Sequence, residues 1–233
     1  MTAPIAARAR GPRPHRYIAV EGVIGVGKTT LVERLARRLS ARMVFEEFEE
    51  NPFLAQFYQD REAYAFSTQL FFLMSRYRQQ EQLAQGELFR TFTLADYLFD
   101  KDRIFANLTL GRHELALYER LFSVLEARVP RPDLVIYLHA DLDVTLARIR
   151  ERGRSYEQSI DPQYLRALDE AYRAHFRAYV SAPVVSIDTT QLDFRTEGPA
   201  LEALVHAIMR GDAEIPELAD QARLALPFPE PTT

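Results

Sequence analysis

The run Gly22-Val-Ile-Gly-Val-Gly-Lys28-Thr29 fits the pattern G-x-x-x-x-G-K-[ST]. Glycines at 22, 25 and 27 let the backbone curl, so that successive N–H groups, that of Val26 among them, point inward at an anion. A helix opening at Thr29 and Thr30 adds the positive end of its dipole. Lys28 is placed to reach β- and γ-phosphates, and the Thr29 hydroxyl to ligate Mg²⁺. The basic residues are 27 arginines and only two lysines, Lys28 and Lys101. A compact ammonium fits inside such a loop where a planar guanidinium does not. A chance glycine-rich turn is the competing reading, and the strand before and helix after the motif speak against it. The motif implies a nucleoside triphosphate, but GTPases, motor ATPases and small-molecule kinases all share it.

Other reactive residues must decide among them. Glu46 closes the second expected strand, where a carboxylate can face the phosphate loop across the sheet's crevice. Glu47, Glu49 and Glu50 beside it read as a solvated acidic turn. Gln69 and Arg76 are seven apart, two turns along one helix face shared with Phe66 and Leu73. An amide beside aromatic surface suits the hydrogen-bonding edge of a stacked base. Arg148 and Arg152 stand at i and i+4, where like charges repel by roughly 0.2–0.5 kcal/mol. With Arg154 they form a cluster that makes sense if it awaits polyphosphate charge in a transition state.

These residues need a scaffold. Strands are expected at Tyr17–Glu21, Met43–Phe45, Thr91–Leu94, Leu134–Leu138 and Val184–Ile187. Helices are expected at 29–39, 62–84, near 98–106, 113–128, 141–151, 161–180 and 198–210. Strands that alternate with helices and lack hairpin turns pair in parallel, and their short apolar runs expect cover on both faces. The fold class is α/β: one three-layer domain with a five-stranded parallel sheet flanked by helices. Residues 1–16 hold Arg8, Arg10, Arg13 and Arg16 without an acid and read as a flexible basic tail, with a transit peptide as the alternative. The domain is expected over 17–212, and the proline-bearing stretch over 213–233 as a weakly ordered tail.

Bulk properties exclude several classes. The chain of 233 residues is 47% hydrophobic, enough for one buried core, and contains no cysteine, so thiolate sites and disulfides are out. No apolar run is long enough for a membrane span. Net charge is −4, and the body without its basic start is acidic, which argues against nucleic-acid binding. A soluble, cytoplasmic protein is expected.

From residue 17 to about 194 the chain resembles the deoxynucleoside kinase family. The resemblance rests on VEGVIGVGKTTL; on Glu46-Glu-Phe-Glu-Glu-Asn-Pro-Phe-Leu, similar to E-x-x-x-x-N-P-x-L; on Tyr58, Gln69, Arg76 and Arg78 in Y-x10-Q-x6-R-x-R; and on Arg148 to Gln158, similar to the lid R-x-x-x-R-G-R-x-x-E-Q. It implies ATP-dependent, Mg²⁺-assisted phosphorylation of a deoxynucleoside 5′-hydroxyl. Glu46 would be the general base, Gln69 and Arg76 the readers of the base, and Tyr58 and Glu157 the partners of the sugar 3′-hydroxyl. Lys28, Arg148, Arg152 and Arg154 would hold the transferring phosphoryl group, and Asp193 and Phe194 would lie against the adenine. Arg76 favours deoxyadenosine, deoxyguanosine or deoxycytidine over thymidine, and a homodimer follows by family analogy.

One departure stands out. After its third strand the family shows [DE]-R-S, its acid helping with Mg²⁺ and its arginine lying near the base and phosphates; here the residues are Ala95-Asp96-Tyr97. Asp96 is either that acid, a metal ligand with Thr29, or in a gapless register stands at the arginine position, with Lys101 at a base-reading aspartate. Lys101 is either part of the site or an exposed helix lysine. A nucleoside monophosphate kinase of the thymidylate kinase type, and a regulatory subunit that has lost catalysis, stay open as alternatives.

Overall fold

The computed structural model describes residues 16–47, 50–84, 92–154, 157, 160–196 and 198–212. The two expected tails, apart from Arg16, lie outside the described residues, as does Thr91. Five strands, β1 (Tyr17–Gly22), β2 (Arg42–Val44), β3 (Thr93–Ala95), β4 (Leu134–His139) and β5 (Val184–Asp188), form one sheet in the order β2-β3-β1-β4-β5. Every pairing is parallel, so all the strand C-termini meet at one edge.

Among the described residues eight helices join them: α1 (Lys28–Leu39), α2 (Leu54–Gln59), α3 (Arg61–Ala84), α4 (Lys101–Thr109), α5 (Arg112–Glu126), α6 (Leu142–Arg152), α7 (Pro162–Ala178) and α8 (Pro199–Arg210). Two differences from the sequence expectation matter. Helix α2 is extra: it is six residues long, too short for a 3.6-residue period to show. Helix α4 begins at Lys101 rather than near 98, because Tyr97, Leu98 and Phe99 turn into the core instead of continuing a helix.

The sheet is covered on both faces. Leu31 and Leu35 of α1 and Leu204 and Ile208 of α8 are fully buried with Ile18, Val20, Ile136 and Leu138. Each such side chain contributes roughly 1.5–3 kcal/mol of burial. On the other face Phe176 of α7 stacks on Tyr137 at 4.3 Å between ring centroids. A separate cluster, Leu73, Tyr77, Phe99, Ala106, Tyr118 and Phe122, holds α3, α4 and α5 together beside the sheet.

One charged group belongs to this core. Glu21 is fully buried at the end of β1. It accepts from Gly22 N–H at 2.9 Å, Leu98 N–H at 2.7 Å and the Tyr172 hydroxyl at 3.1 Å. The carboxylate thus ties the start of the phosphate loop to α7 and to the segment after β3.

Asp100 precedes α4 without a side-chain capping bond. Burial, and then the charge of Glu126, raise its carboxyl to about 6. As pH rises from the ordinary carboxylate range towards 6, the unfolded chain ionises Asp100 while the folded chain resists, so stability falls across that window and the penalty is complete above it. Asp100→Asn is expected to stabilise the fold at pH 7.5 by on the order of 1 kcal/mol, with no gain at pH 3.5. Urea denaturation at the two pH values checks this.

Candidate active site

The loop between β1 and α1 is built by its glycines. Gly22 has φ 149°, and a Cβ there would sit 2.2 Å from the Leu138 carbonyl oxygen of the adjoining strand. Gly25 has φ 84° and faces Ile149 of α6, while Gly27 has φ 109° and opens into free space. Lys28 folds back over the loop and donates to the carbonyls of Gly22 at 2.7 Å and Val23 at 3.2 Å. Burial, and then the neighbouring charge of Lys101, push its amine down to about 8.

A cavity of about 450 Å³ opens over this loop. Gly25, Val26, Gly27, Lys28, Thr29 and Thr30 form its floor. Arg148, Arg152, Arg154, Asp193 and Phe194 complete its walls, so the residues expected to bind ATP meet here, with Gly22 just beneath. Arg148 does not reach out as the other two arginines do. It donates to the carbonyls of Val26 at 3.3 Å, Thr189 at 2.7 Å and Leu192 at 3.2 Å, and to the Thr189 hydroxyl at 3.1 Å. Its guanidinium therefore clamps the phosphate loop to the segment after β5.

A second, tighter cavity of about 100 Å³ adjoins the first. Glu46, Tyr58, Gln69 and Arg76 line it, and so do Asp96, Lys101 and Glu157. All seven residues expected around the acceptor are thus gathered from five separate stretches of chain. Arg78, by contrast, is exposed on the far side of α3 and lies outside the site. Phe57 and Tyr58 on α2, with Phe72 and Phe105, give the cavity aromatic walls. Gln69 donates to the Thr109 hydroxyl at 3.3 Å, which orients its amide.

The charges in this cavity form one network. Glu46 accepts from Arg76 through Oε1 and from Lys101 Nζ through Oε2, the latter at 2.5 Å. Arg76 also donates to Asp102, which is fully buried. Although burial opposes ionisation of Glu46, the two cations hold its carboxyl well below the usual range. Asp96 accepts from the Thr29 hydroxyl at 2.9 Å and from Glu46 N–H at 2.9 Å. Burial, and then the charge of Glu46, raise the Asp96 carboxyl.

Asp96 directly follows β3 beside Thr29, on the side of the phosphate loop, and Arg76 pairs with Asp102 as well as with Glu46. Lys101 is 5% exposed, so it is no surface lysine. Asp102 went unrecognised in the sequence; its one cue was an acid directly after Lys101. Glu157 is engaged by the lid: Arg152 donates to it at 2.5 and 3.0 Å and Arg154 at 3.5 Å. Ser155, Tyr156 and Gln158 of the lid, like Phe48 and Glu49, lie outside the described residues.

A five-stranded parallel sheet with a phosphate loop after its central strand, and a second cavity opposite that loop, define a P-loop kinase fold. Residues 18–210 match the deoxynucleoside kinase family. The chain is 36% identical over 183 residues to deoxyguanosine kinase of Bacillus subtilis, covering 76% of this chain and 88% of that one. It is 31% identical over 198 residues to deoxyadenosine/deoxycytidine kinase of the same organism, covering 82% and 90%. The solved structure of M. mycoides deoxyadenosine kinase with bound dATP superposes with a TM-score of 0.73 at 26% identity, covering 82% of this chain and 98% of that one. The chain belongs to the deoxynucleoside kinase family, whose members are transferases that phosphorylate an alcohol group.

Gly25 offers a direct check on the loop. A methyl group there would lie 2.6 Å from Ile149 Cγ1 and 3.0 Å from the Thr145 carbonyl oxygen, at a positive φ. Gly25→Ala is expected to weaken ADP binding at least about tenfold and to cost about 1–3 kcal/mol of stability. Calorimetric titration and thermal unfolding measure the two effects.

Proposed function

We propose that this chain transfers the γ-phosphoryl group of ATP to the 5′-hydroxyl of a deoxynucleoside in cytoplasmic nucleotide salvage, with the kinase domain spanning 17–212. The observation that carries this reading is the shared wall of the two cavities. Gly25, Lys28, Thr29, Arg152 and Arg154 line both, so donor and acceptor would meet across them. Holding two reactants in contact at a fixed angle is most of what phosphoryl transfer asks of a protein.

Glu46 would accept a hydrogen bond from the 5′-hydroxyl and take its proton as the O5′–P bond forms and the bond from phosphorus to the leaving ADP oxygen breaks. A carboxylate held so far down is a weak base. It suffices where the transition state is loose and the proton leaves late. Lys28, Arg152 and Arg154 would hold the equatorial oxygens, with Arg148 keeping the loop in shape behind them. The Thr29 hydroxyl and the Asp96 carboxylate are hard oxygen donors side by side, and this pair suits Mg²⁺, which takes one or two protein ligands and completes its shell with phosphate and water. When bound, Mg²⁺ would neutralise charge on the β- and γ-phosphate oxygens.

Tyr58 and Glu157 would meet the sugar 3′-hydroxyl. Gln69 and Arg76, lying against Phe72, would read the base, and this favours deoxyadenosine, deoxyguanosine or deoxycytidine over thymidine. The names of the relatives, which act on those three nucleosides, support that order.

We also propose a homodimer. Leu117, Leu121 and Val124 of α5 are 50%, 38% and 65% exposed and fall at i, i+4 and i+7 on one face. Met74 of the neighbouring α3 is 44% exposed. No helix among the described residues is long and apolar enough to cross a membrane. The double variant Leu121→Glu, Val124→Glu is expected to sediment as a monomer where the parent is a dimer; identical sedimentation would remove the interface.

The decisive experiment measures ATP- and Mg²⁺-dependent phosphorylation of the four natural deoxynucleosides and their monophosphates, with Glu46→Gln alongside. The expected outcome is turnover of deoxyadenosine, deoxyguanosine or deoxycytidine that falls about 10²–10⁴-fold in the variant. Turnover of monophosphates alone would replace this reading with a nucleotide kinase, and ATP binding without any turnover would replace it with a regulatory role.

A further inference from the structure

Lys101 sits where an ammonium is hard to keep. It is the first residue of α4, at the positive end of that helix's dipole, and it is buried. Its charge also bears on Lys28, a half-buried cation. Residues 96–100, by contrast, bring no cation to this side of the cavity, and the fully buried Tyr97 is neutral. Among the described residues, Glu46 is the one carboxylate paired with Lys101, and the Phe105 ring lies 5.7 Å from its nitrogen.

The two cations on Glu46 are not equivalent. Arg76 is a planar fork held from behind by Asp102, so moving it would strand a fully buried acid. Lys101 is a point charge on a flexible four-carbon stem with no second acid to restrain it. An acceptor hydroxyl that reaches Glu46 competes with these cations for its lone pairs, and Oε2, the oxygen Lys101 covers, is the one more readily yielded. The displaced ammonium stays inside a cavity lined by Lys28, Arg152 and Arg154 and by the acids Asp96 and Glu157, and there the charge that develops during transfer draws it.

We propose that Lys101 is a catalytic residue that changes partners: it holds the Glu46 carboxylate in the free enzyme and moves to the transferring phosphoryl group when the acceptor hydroxyl takes its place. The proposal rests on the reading of Glu46 as the acceptor's partner. It adds to that reading a cation whose duty alternates between the resting carboxylate and the reacting phosphorus, and it explains why one of only two lysines in the chain stands here.

The test compares the parent with Lys101→Met and Lys101→Arg. ADP binding is titrated with Mg²⁺ and a deoxynucleoside, with and without aluminium fluoride, a planar anion that mimics the phosphoryl group in flight. In Lys101→Met, ADP alone is expected to bind within about twofold of the parent, while the tightening caused by aluminium fluoride shrinks at least about tenfold. Its kcat is expected to fall about 10²–10³-fold, with the deoxynucleoside KM changed less than about fivefold. Lys101→Arg keeps the charge on Glu46 but not the mobility. It is expected to recover the parent's melting temperature and only part of kcat, so the proposal remains testable even if the methionine variant folds poorly. Full recovery of kcat in Lys101→Arg, or parental tightening by aluminium fluoride in Lys101→Met, would overturn the exchange. A parent enzyme that turns over no deoxynucleoside would instead sink the proposed function, an outcome these variants cannot mimic.

Discussion

The fully buried carboxylate of Glu21 is the interaction on which the site's architecture depends. A buried charge survives only when its lone pairs are filled, and here a loop glycine N–H, a backbone N–H after β3 and a tyrosine hydroxyl of α7 fill them. Those three donors come from the three segments that must stay in register at the strand C-termini. The first residue of the phosphate loop is fixed by it, and Leu98 is drawn inward, so that α4 starts at Lys101 and aims that residue into the cavity. An apolar residue at 21 would leave the buried donors unmet. It would also free the turn that separates Asp96, beside Thr29, from Lys101, beside Glu46.

Charge balance within the acceptor cavity follows from that placement. Two cations, Arg76 and Lys101, meet two anions, Glu46 and Asp102, in space where exposure falls to a few per cent. Asp96 stands at the border and is not paired with either cation; it takes its hydrogen bonds from Thr29 and from the Glu46 backbone. The two carboxylates are thereby driven in opposite directions, Glu46 down by its cations and Asp96 up by burial. Environments that separate neighbouring carboxylates in this way are how one site assigns them different work.

Much of this was legible in the sequence, and the boundary of legibility has physical causes. The phosphate loop is local: its glycines, lysine and threonine act through backbone geometry within a few residues, so spacing alone exposes it. β1 and β4 were legible because buried parallel strands are short apolar runs, and β4 is buried at every position. Gln69 and Arg76 were legible as a pair because a helix places i and i+7 on one face. Asp102 and the roles of Lys101 and Arg148 were not, because each depends on a partner far along the chain. Arg76 lies 26 residues before Asp102, and Arg148 lies 122 residues after Val26. A single sequence records that an arginine exists, not which carbonyls or carboxylates the fold will bring to it. Arg148 illustrates the point: its spacing from Arg152 suggested a shared duty, yet the carbonyls at the end of β5 claim its guanidinium first.

Glu157 shows how the two cavities are joined electrically as well as sterically. Its carboxylate lines the acceptor cavity, yet it holds Arg152 and Arg154, which also line the donor cavity. Arg152 and Arg154 are each about one-third exposed, whereas Glu157 is 5% exposed, so the carboxylate is the fixed point and the arginines are the adjustable ones. Any ligand group that draws on the Glu157 oxygens loosens the hold on both guanidinium groups, and any anion that draws on the guanidinium groups frees Glu157 for a donor. The same logic operates at Glu46 and Lys101, on the opposite side of the cavity. In both places a carboxylate lining the second cavity is matched by a cation, and such pairing keeps the buried charges satisfied.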